Sequence, residues 1–232
     1  MNAFFTGEEI SAIWLSFKVA LGSTALIMPL AIALGLLLAR RDFPGKTLFD
    51  SFLCLPLVMP PVTTGYILLV MLGRRSFIGT FCEEYLHLRL SFTIAGAIIA
   101  SAVVSFPLIL RAVRIAFEMA DRRLEDAAAT LGASPSRCFL HVTLPLALPG
   151  LINGLVLGFA RSLGEFGATI TFAGNLEGET RTIPLAVFSL MQTPGQENAA
   201  MKLVAVSVII AFAAMAGSEW LNRRMRKRLG GG

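Results

Sequence analysis

The sequence predicts an all-α integral membrane protein with five membrane-spanning helices. Three observations predict it. Hydrophobic residues make up 55% of the 232-residue chain and charged residues 15%, with a mean hydropathy of +0.72, a balance found in polytopic membrane proteins rather than soluble domains. Five stretches each supply about 20 mostly apolar residues, enough to cross the hydrocarbon of a bilayer. The basic residues are divided unequally between the two sides that these spans define.

The spans are expected at about 14–39, 52–72, 92–110, 149–173 and 203–221. The first carries one internal cation, Lys18. The second is interrupted by Pro56, Pro60 and Pro61, each of which removes an N–H donor and tends to kink a helix. Pro107 is expected to kink the third span in the same way. An apolar stretch at 183–191 is too short to span and reads as an interfacial or re-entrant segment, or as a short buried helix. With the N-terminus outside, thirteen Lys and Arg residues fall inside and five outside, among them Arg74, Arg75 and Arg89. The positive-inside rule therefore predicts N-out, C-in. The net charge of +5 owes much to a basic tail at 223–228, a juxtamembrane anchor for anionic lipid rather than a nucleic-acid site. The first ten residues lack the basic n-region of a cleavable signal peptide. The closing glycines 230–232 are expected to be disordered.

Several chemistries are set aside by what the spacing omits. Cys54, Cys82 and Cys138 lie in different segments, odd in number and without metal-like spacing, so they read as free thiols. The two histidines, His87 and His141, lie outside the spans with no HExxH around them. No G-x4-G-K-[ST] occurs, so this chain has no P-loop with which to hold ATP. No Ser–His or Asp–Asp pair within the spans suggests an intramembrane protease.

One segment between the third and fourth spans breaks from the apolar pattern, at about 121–145. Asp121 is a plausible N-cap, and Glu125 and Asp126 follow in the first turns, where negative charge suits the helix dipole. Leu124, Ala127, Ala128 and Leu131 share one narrow apolar face. Gly132 ends this helix in a left-handed turn. Ser134 and Pro135 read as N-cap and first residue of a second short helix, which runs to about Leu144 before Pro145. The product is a helix–turn–helix on the inner face, either a docking element for another protein or a connecting loop.

The fourth span carries its own polar signal. Arg161 and Glu165 are four apart in apolar surroundings, a spacing that lets opposite charges pair on one helix face. They read either as pathway electrostatics, together with Ser162, or as a structural pair joining helices. Gly150, Gly154, Gly158 and Ser162 repeat every four residues, and Ala160, Gly164 and Ala168 form a second small row. Such rows let helix backbones approach closely.

The segment from Asp126 to Pro145 also has a family signature. Asp126-Ala127-Ala128, three residues, Gly132, nine residues, then Val142-x-Leu144-Pro145 resembles the motif E-A-A-x3-G-x9-I-x-L-P of ABC importer permeases. Asp replaces Glu and Val replaces Ile, keeping charge and shape. The stretches FPGK at 43–46, LPLVMPPVTTGY at 55–66, RSLGEFGATITFAGN at 161–175 and GETRTIP at 178–184 are similar to the bacterial molybdate permeases. Sulfate and thiosulfate permeases share the GEFGA-type piece, whereas TRTIP and QTPG (192–195) favour molybdate.

The resemblance implies a single permease domain over 1–232 in the bacterial inner membrane, not itself an enzyme. It implies that Leu124, Glu125, Asp126, Ala127, Ala128, Leu131, Gly132 and Pro145 belong to a segment that couples to an ATPase. Its implied partners are a second copy of the chain, two ATP-binding subunits that carry ATP and magnesium, and a periplasmic molybdate-binding protein. No cofactor is expected on this chain and no nucleic acid among its partners. A sulfate, thiosulfate or tungstate importer is the alternative.

Overall fold

The computed structural model describes residues 5–229, with side chains described as far as Arg224. Asn2, the side chains of Arg226, Lys227 and Arg228, and glycines 230–232 lie outside the described residues. Among the described residues the secondary structure is wholly helical.

The first span is α1, Gly7–Arg40. It starts earlier than expected because Thr6 and Glu9 form a capping box: the Thr6 hydroxyl accepts the Glu9 N–H, and the Glu9 carboxylate accepts the Thr6 N–H at 2.7 Å. The internal cation Lys18 lies over the Trp14 ring, 5.3 Å from its centroid.

The second span differs from expectation. It is not one helix over 52–72 but a broken path: α2 (Lys46–Leu53), α3 (Leu55–Val58) and α4 (Pro61–Leu72). Pro60 and Pro61 offer no N–H to continue a ladder, so the chain turns extended at Met59 and restarts with Pro61 in the first turn of α4. A further helix, α5 (Phe77–Leu86), follows α4 at a 60° bend. It escaped the sequence reading, although Ser76 caps it by accepting the Gly79 N–H.

The third span is α6, Ile94–Met119, a single helix with Pro107 inside it. The short cytoplasm-assigned helix is α7, Arg122–Thr130. The second hairpin helix, expected to stop before Pro145, instead merges with the fourth span. It begins as α8 (Pro135–Cys138), passes through a π turn (Phe139–Thr143) and continues as α9 (Leu144–Leu163). In the π turn the Leu144 N–H reaches back to the Phe139 carbonyl. That wider turn is how the chain accommodates the Pro145 ring, which a regular turn would press against the carbonyl of His141.

The fourth span also ends early. It stops at Leu163, breaks at 164–166 and resumes as α10, Gly167–Phe172. The expected small row Ala160–Gly164–Ala168 is therefore not one face. Gly164 closes α9, while Ala168 belongs to α10 and is buried against α4 and α6. The stretch at 183–191 is α11, Ile183–Met191, whose first N–H donates to the Ser16 hydroxyl of α1 at 2.6 Å. Ile183, Leu185 and Ala186 are buried, so it is a short helix docked on the bundle. The last span, α12 (Glu197–Leu229), is longer than 203–221 at both ends.

The core sits where α1, α6 and α9 meet. Leu38 of α1, Ile109 and Phe117 of α6, and Ala147 of α9 are fully enclosed. A second cluster joins Leu68 of α4 with Ala100 and Val104 of α6 and Phe172 of α10. Close backbone approach makes this possible, since a side chain added at Gly65 would lie 2.7 Å from the Ala168 carbonyl oxygen. Outward faces of α4 and α12 stay apolar and exposed, as lipid or a partner helix allows.

Candidate functional site

Two places in the bundle hold the polar residues that the sequence singles out: the α7–α8 hairpin at one end, and the break after α9 near mid-height.

The hairpin is built locally. Asp121 caps α7 by accepting the Arg123 N–H at 2.9 Å. At the other end the Ala133 N–H reaches the Ala128 carbonyl and the Gly132 N–H reaches that of Ala129, both at 3.0 Å. These two bonds form a Schellman closure, with Gly132 at φ +84°. No residue of α7 is buried. Leu131 is 89% exposed and Leu124 49%, and Asp126 and Ala127 are also exposed. A shallow groove of about 420 Å³ runs between the two arms, lined by Ala128, Leu131, Gly132, Arg137, His141 and Val142. Pro145 is half-buried in the first turn of α9, away from this surface.

Glu125 stands apart from its neighbours. Its carboxylate turns inward, paired with the Arg40 guanidinium at the end of α1 and accepting the Thr143 hydroxyl at 3.0 Å. Arg40 also donates to the Ala120 carbonyl, and Arg122 donates to that of Ala39, both at 3.3 Å. The spacing read Glu125 and Asp126 as equivalent first-turn acids. Only Asp126 faces outward.

At mid-height, Ser162 joins three helices. The Ser23 hydroxyl donates to Ser162 Oγ at 2.9 Å, and Ser162 Oγ donates to Ser105 Oγ at 3.2 Å. Ser23 is at the middle of α1, so this node marks the centre of the bundle. Along the same face of α9, the Gly row runs antiparallel to α6. Gly150 lies against Ala116, Gly154 against Ala112 and Gly158 against Ile109. Ser23 and Ser105 were not picked out by sequence; their only signal was small polar residues inside apolar helices.

The break follows immediately. Arg161 and Glu165 pair at 2.7 Å, with the Arg161 side chain 32% exposed and that of Glu165 2% exposed. The other Glu165 oxygen accepts the Ala168 N–H at 3.0 Å. Glu165 thus neutralises Arg161 and caps the restarted helix at once, which offsets much of the cost of burying a carboxylate. Arg161, Ser162 and Glu165 are brought together in sequence but diverge in environment: Ser162 faces the core and Arg161 faces outward.

A family model described as "Binding-protein-dependent transport system inner membrane component" matches residues 31–227. The chain is 53% identical over 224 residues to the molybdenum transport system permease protein ModB of Haemophilus influenzae, covering 97% of this chain and 98% of that one. It is 52% identical over 225 residues to the protein of the same name in Escherichia coli K12, with 97% and 98% covered. Among solved structures, a bacterial ABC transporter involved in the import of the acidic polysaccharide alginate matches with a TM-score of 0.75 at 16% identity, over 95% of this chain and 81% of that chain. That likeness concerns the fold.

Proposed function

The chain belongs to the family of inner-membrane components of binding-protein-dependent transport systems, and from that premise we propose that it is the permease subunit of an ATP-driven molybdate importer. The observation that carries the substrate is 53% identity along 97% of the chain to a molybdenum permease. The observation that carries the coupling is the exposed, capped hairpin α7–α8, unburied on a chain whose other helices are mostly apolar.

In this reading the N-terminus faces the periplasm and the hairpin faces the cytoplasm. Asp126, Ala127, Ala128 and Leu131 meet an ATPase subunit, which holds the nucleotide and its magnesium. The small alanine surface allows close approach, and Gly132 holds the two arms at a set angle. Two copies of the chain assemble with two ATPase subunits, and a periplasmic molybdate-binding protein delivers the anion. The chain itself catalyses no reaction.

The pathway is assigned to the region of the break. Secondary transporters place substrate near the midplane where helices are discontinuous, and freed backbone groups at membrane depth are tolerated where they face protein or a cavity instead of lipid. Arg161, partly exposed beside the break, favours a dianion, while Glu165 keeps it from binding that anion permanently.

Deleting the gene tests the substrate. The expected result is a molybdoenzyme deficiency rescued by high external molybdate, which other anion routes admit at high concentration. Normal molybdoenzymes together with a requirement for reduced sulfur would replace molybdate by sulfate.

A further inference from the structure

Glu125 does not present itself to a docking partner, and its contacts point to another role. It is the first-turn acid of α7, yet it is half-buried and spends its charge on this chain's own groups. Arg40 is 85 residues away in sequence, and Thr143 is the last residue of the π turn that leads into α9. One carboxylate therefore ties together the end of α1, the start of α7 and the base of α9. Backbone contacts reinforce the tie: Arg40 to the Ala120 carbonyl, Arg122 to the Ala39 carbonyl, and the Cys138 thiol to the Glu125 carbonyl at 3.7 Å.

The same two long helices are tied again at mid-height. Ser23 of α1 and Ser162 of α9 share a buried hydrogen bond. Immediately beyond Ser162 the helix breaks at 164–166. Two pins hold α1 and α9 together, one at the hairpin and one just below the break. A displacement of α7 would then be carried along both helices as a unit and released where α9 is discontinuous. A hairpin attached through a loose loop would dissipate such a displacement in its own backbone.

We propose that Glu125 is a positioning residue for transport: it locks α7 to α1 and α9, so that movement imposed at the hairpin reaches the break at mid-bundle. This rests on the coupling reading above and deepens it. Asp126 and the alanine surface are the contact, and Glu125 is the rigid joint behind it.

The test uses the whole complex of permease, ATPase and binding protein, reconstituted in vesicles. Three quantities are read: ATPase association, ATP hydrolysis and molybdate moved per ATP. Glu125→Ala should retain the ATPase and hydrolyse ATP, while molybdate moved per ATP falls by about fivefold or more, the scale of a lost coupling of about 1 kcal/mol. The charge swap Arg40→Glu with Glu125→Arg should restore a substantial part of that ratio. Should Glu125→Ala fail to fold, Glu125→Gln carries the test, because it keeps a hydrogen bond to Thr143 but loses the charge pairing. An unchanged ratio in the folded variant overturns the joint and leaves the coupling reading standing. Loss of ATPase association in Glu125→Ala, with normal folding, makes Glu125 a docking contact and also overturns it. Failure of the wild-type chain to hold an ATPase would instead overturn the coupling reading beneath.

Discussion

The packing of α9 on α6 makes a prediction whose sign and ranking follow from distances. A methyl group added at Gly150 would lie 2.4 Å from the Ala116 Cβ and 3.2 Å from its Cα. Carbon atoms rest at about 3.5–4.0 Å, so the overlap is more than an ångström, and both methyls are fixed to helix backbones. Neither can rotate away, so the helices must separate. Gly150→Ala should therefore fall at the upper end of the roughly 1–3 kcal/mol cost of overpacking. Alanine's better helix propensity returns about 1 kcal/mol, leaving a loss of about 2. At Gly154 the nearest atom is the Ala112 Cβ at 3.2 Å. A shift of a few tenths of an ångström relieves that, so Gly154→Ala should be neutral or slightly stabilising. At Gly158 the obstacles are Ile109 Cδ1 at 2.1 Å and Cγ1 at 2.5 Å, on a fully buried β-branched side chain that is stiff at χ1 in a helix; Gly158→Ala should be more damaging than Gly154→Ala. The decisive partner is Ala116→Gly. Combined with Gly150→Ala it moves the methyl from one helix to the other, and the pair should be less damaging than the sum of the singles by about 1–2 kcal/mol. Reversible unfolding of the detergent-solubilised protein by sodium dodecyl sulfate would measure all five variants, the four single substitutions and the double. If Gly154→Ala is the more damaging of the two, or if Gly150→Ala and Ala116→Gly simply add, the helices do not meet in this register.

Other outcomes follow from the two polar sites. Glu165→Ala should destabilise by about 3 kcal/mol or more, because it strands Arg161 beside apolar surface and uncaps α10, and Arg161→Ala added to it should recover part of that loss; equal stability of single and double variants would argue against the pair. Gly132→Val should leave the protein inserted but unable to use ATP, since φ +84° is strained for a β-branched residue, and Asp126→Lys should do the same by reversing an exposed charge. Normal ATPase pull-down and uptake in both variants would reduce the hairpin to a connector. Single cysteines in a cysteine-free background should label from outside at position 74 and not at position 123; external labelling at 123 would invert the topology.

Four of the five expected spans, each a single helix long and apolar enough to cross a membrane, were legible in the sequence because lipid imposes a local rule: each crossing needs its own run of apolar residues, wherever its neighbours lie. The hairpin was legible for a similar reason. Asp121 and Gly132 act through bonds to residues a few positions away, and Ser134 and Pro135 start α8 through local backbone geometry without a side-chain cap, so composition and spacing suffice to place them. Prolines 60 and 61 announced a kink by the same local logic, and the structure turns it into a break. Three features were decided only by distant parts of the chain. The stretch around Arg161 to Ala168 reads as continuous helix, yet it breaks at 164–166, and the restarted α10 packs backbone to backbone on α4, where Gly65 lies against Ala168. Glu125 and Asp126 are adjacent acids with the same helix propensity, and what separates them is Arg40, folded back from 85 residues away. Ser162 looked like one more small residue until α1 supplied Ser23, 139 residues earlier in the chain. Local rules say which residues can form a helix and where it can end. Whether a charge or hydroxyl becomes a surface, a cap or a joint depends on which partner the packed bundle brings to it, because in a low-dielectric interior a polar group must face whatever satisfies it.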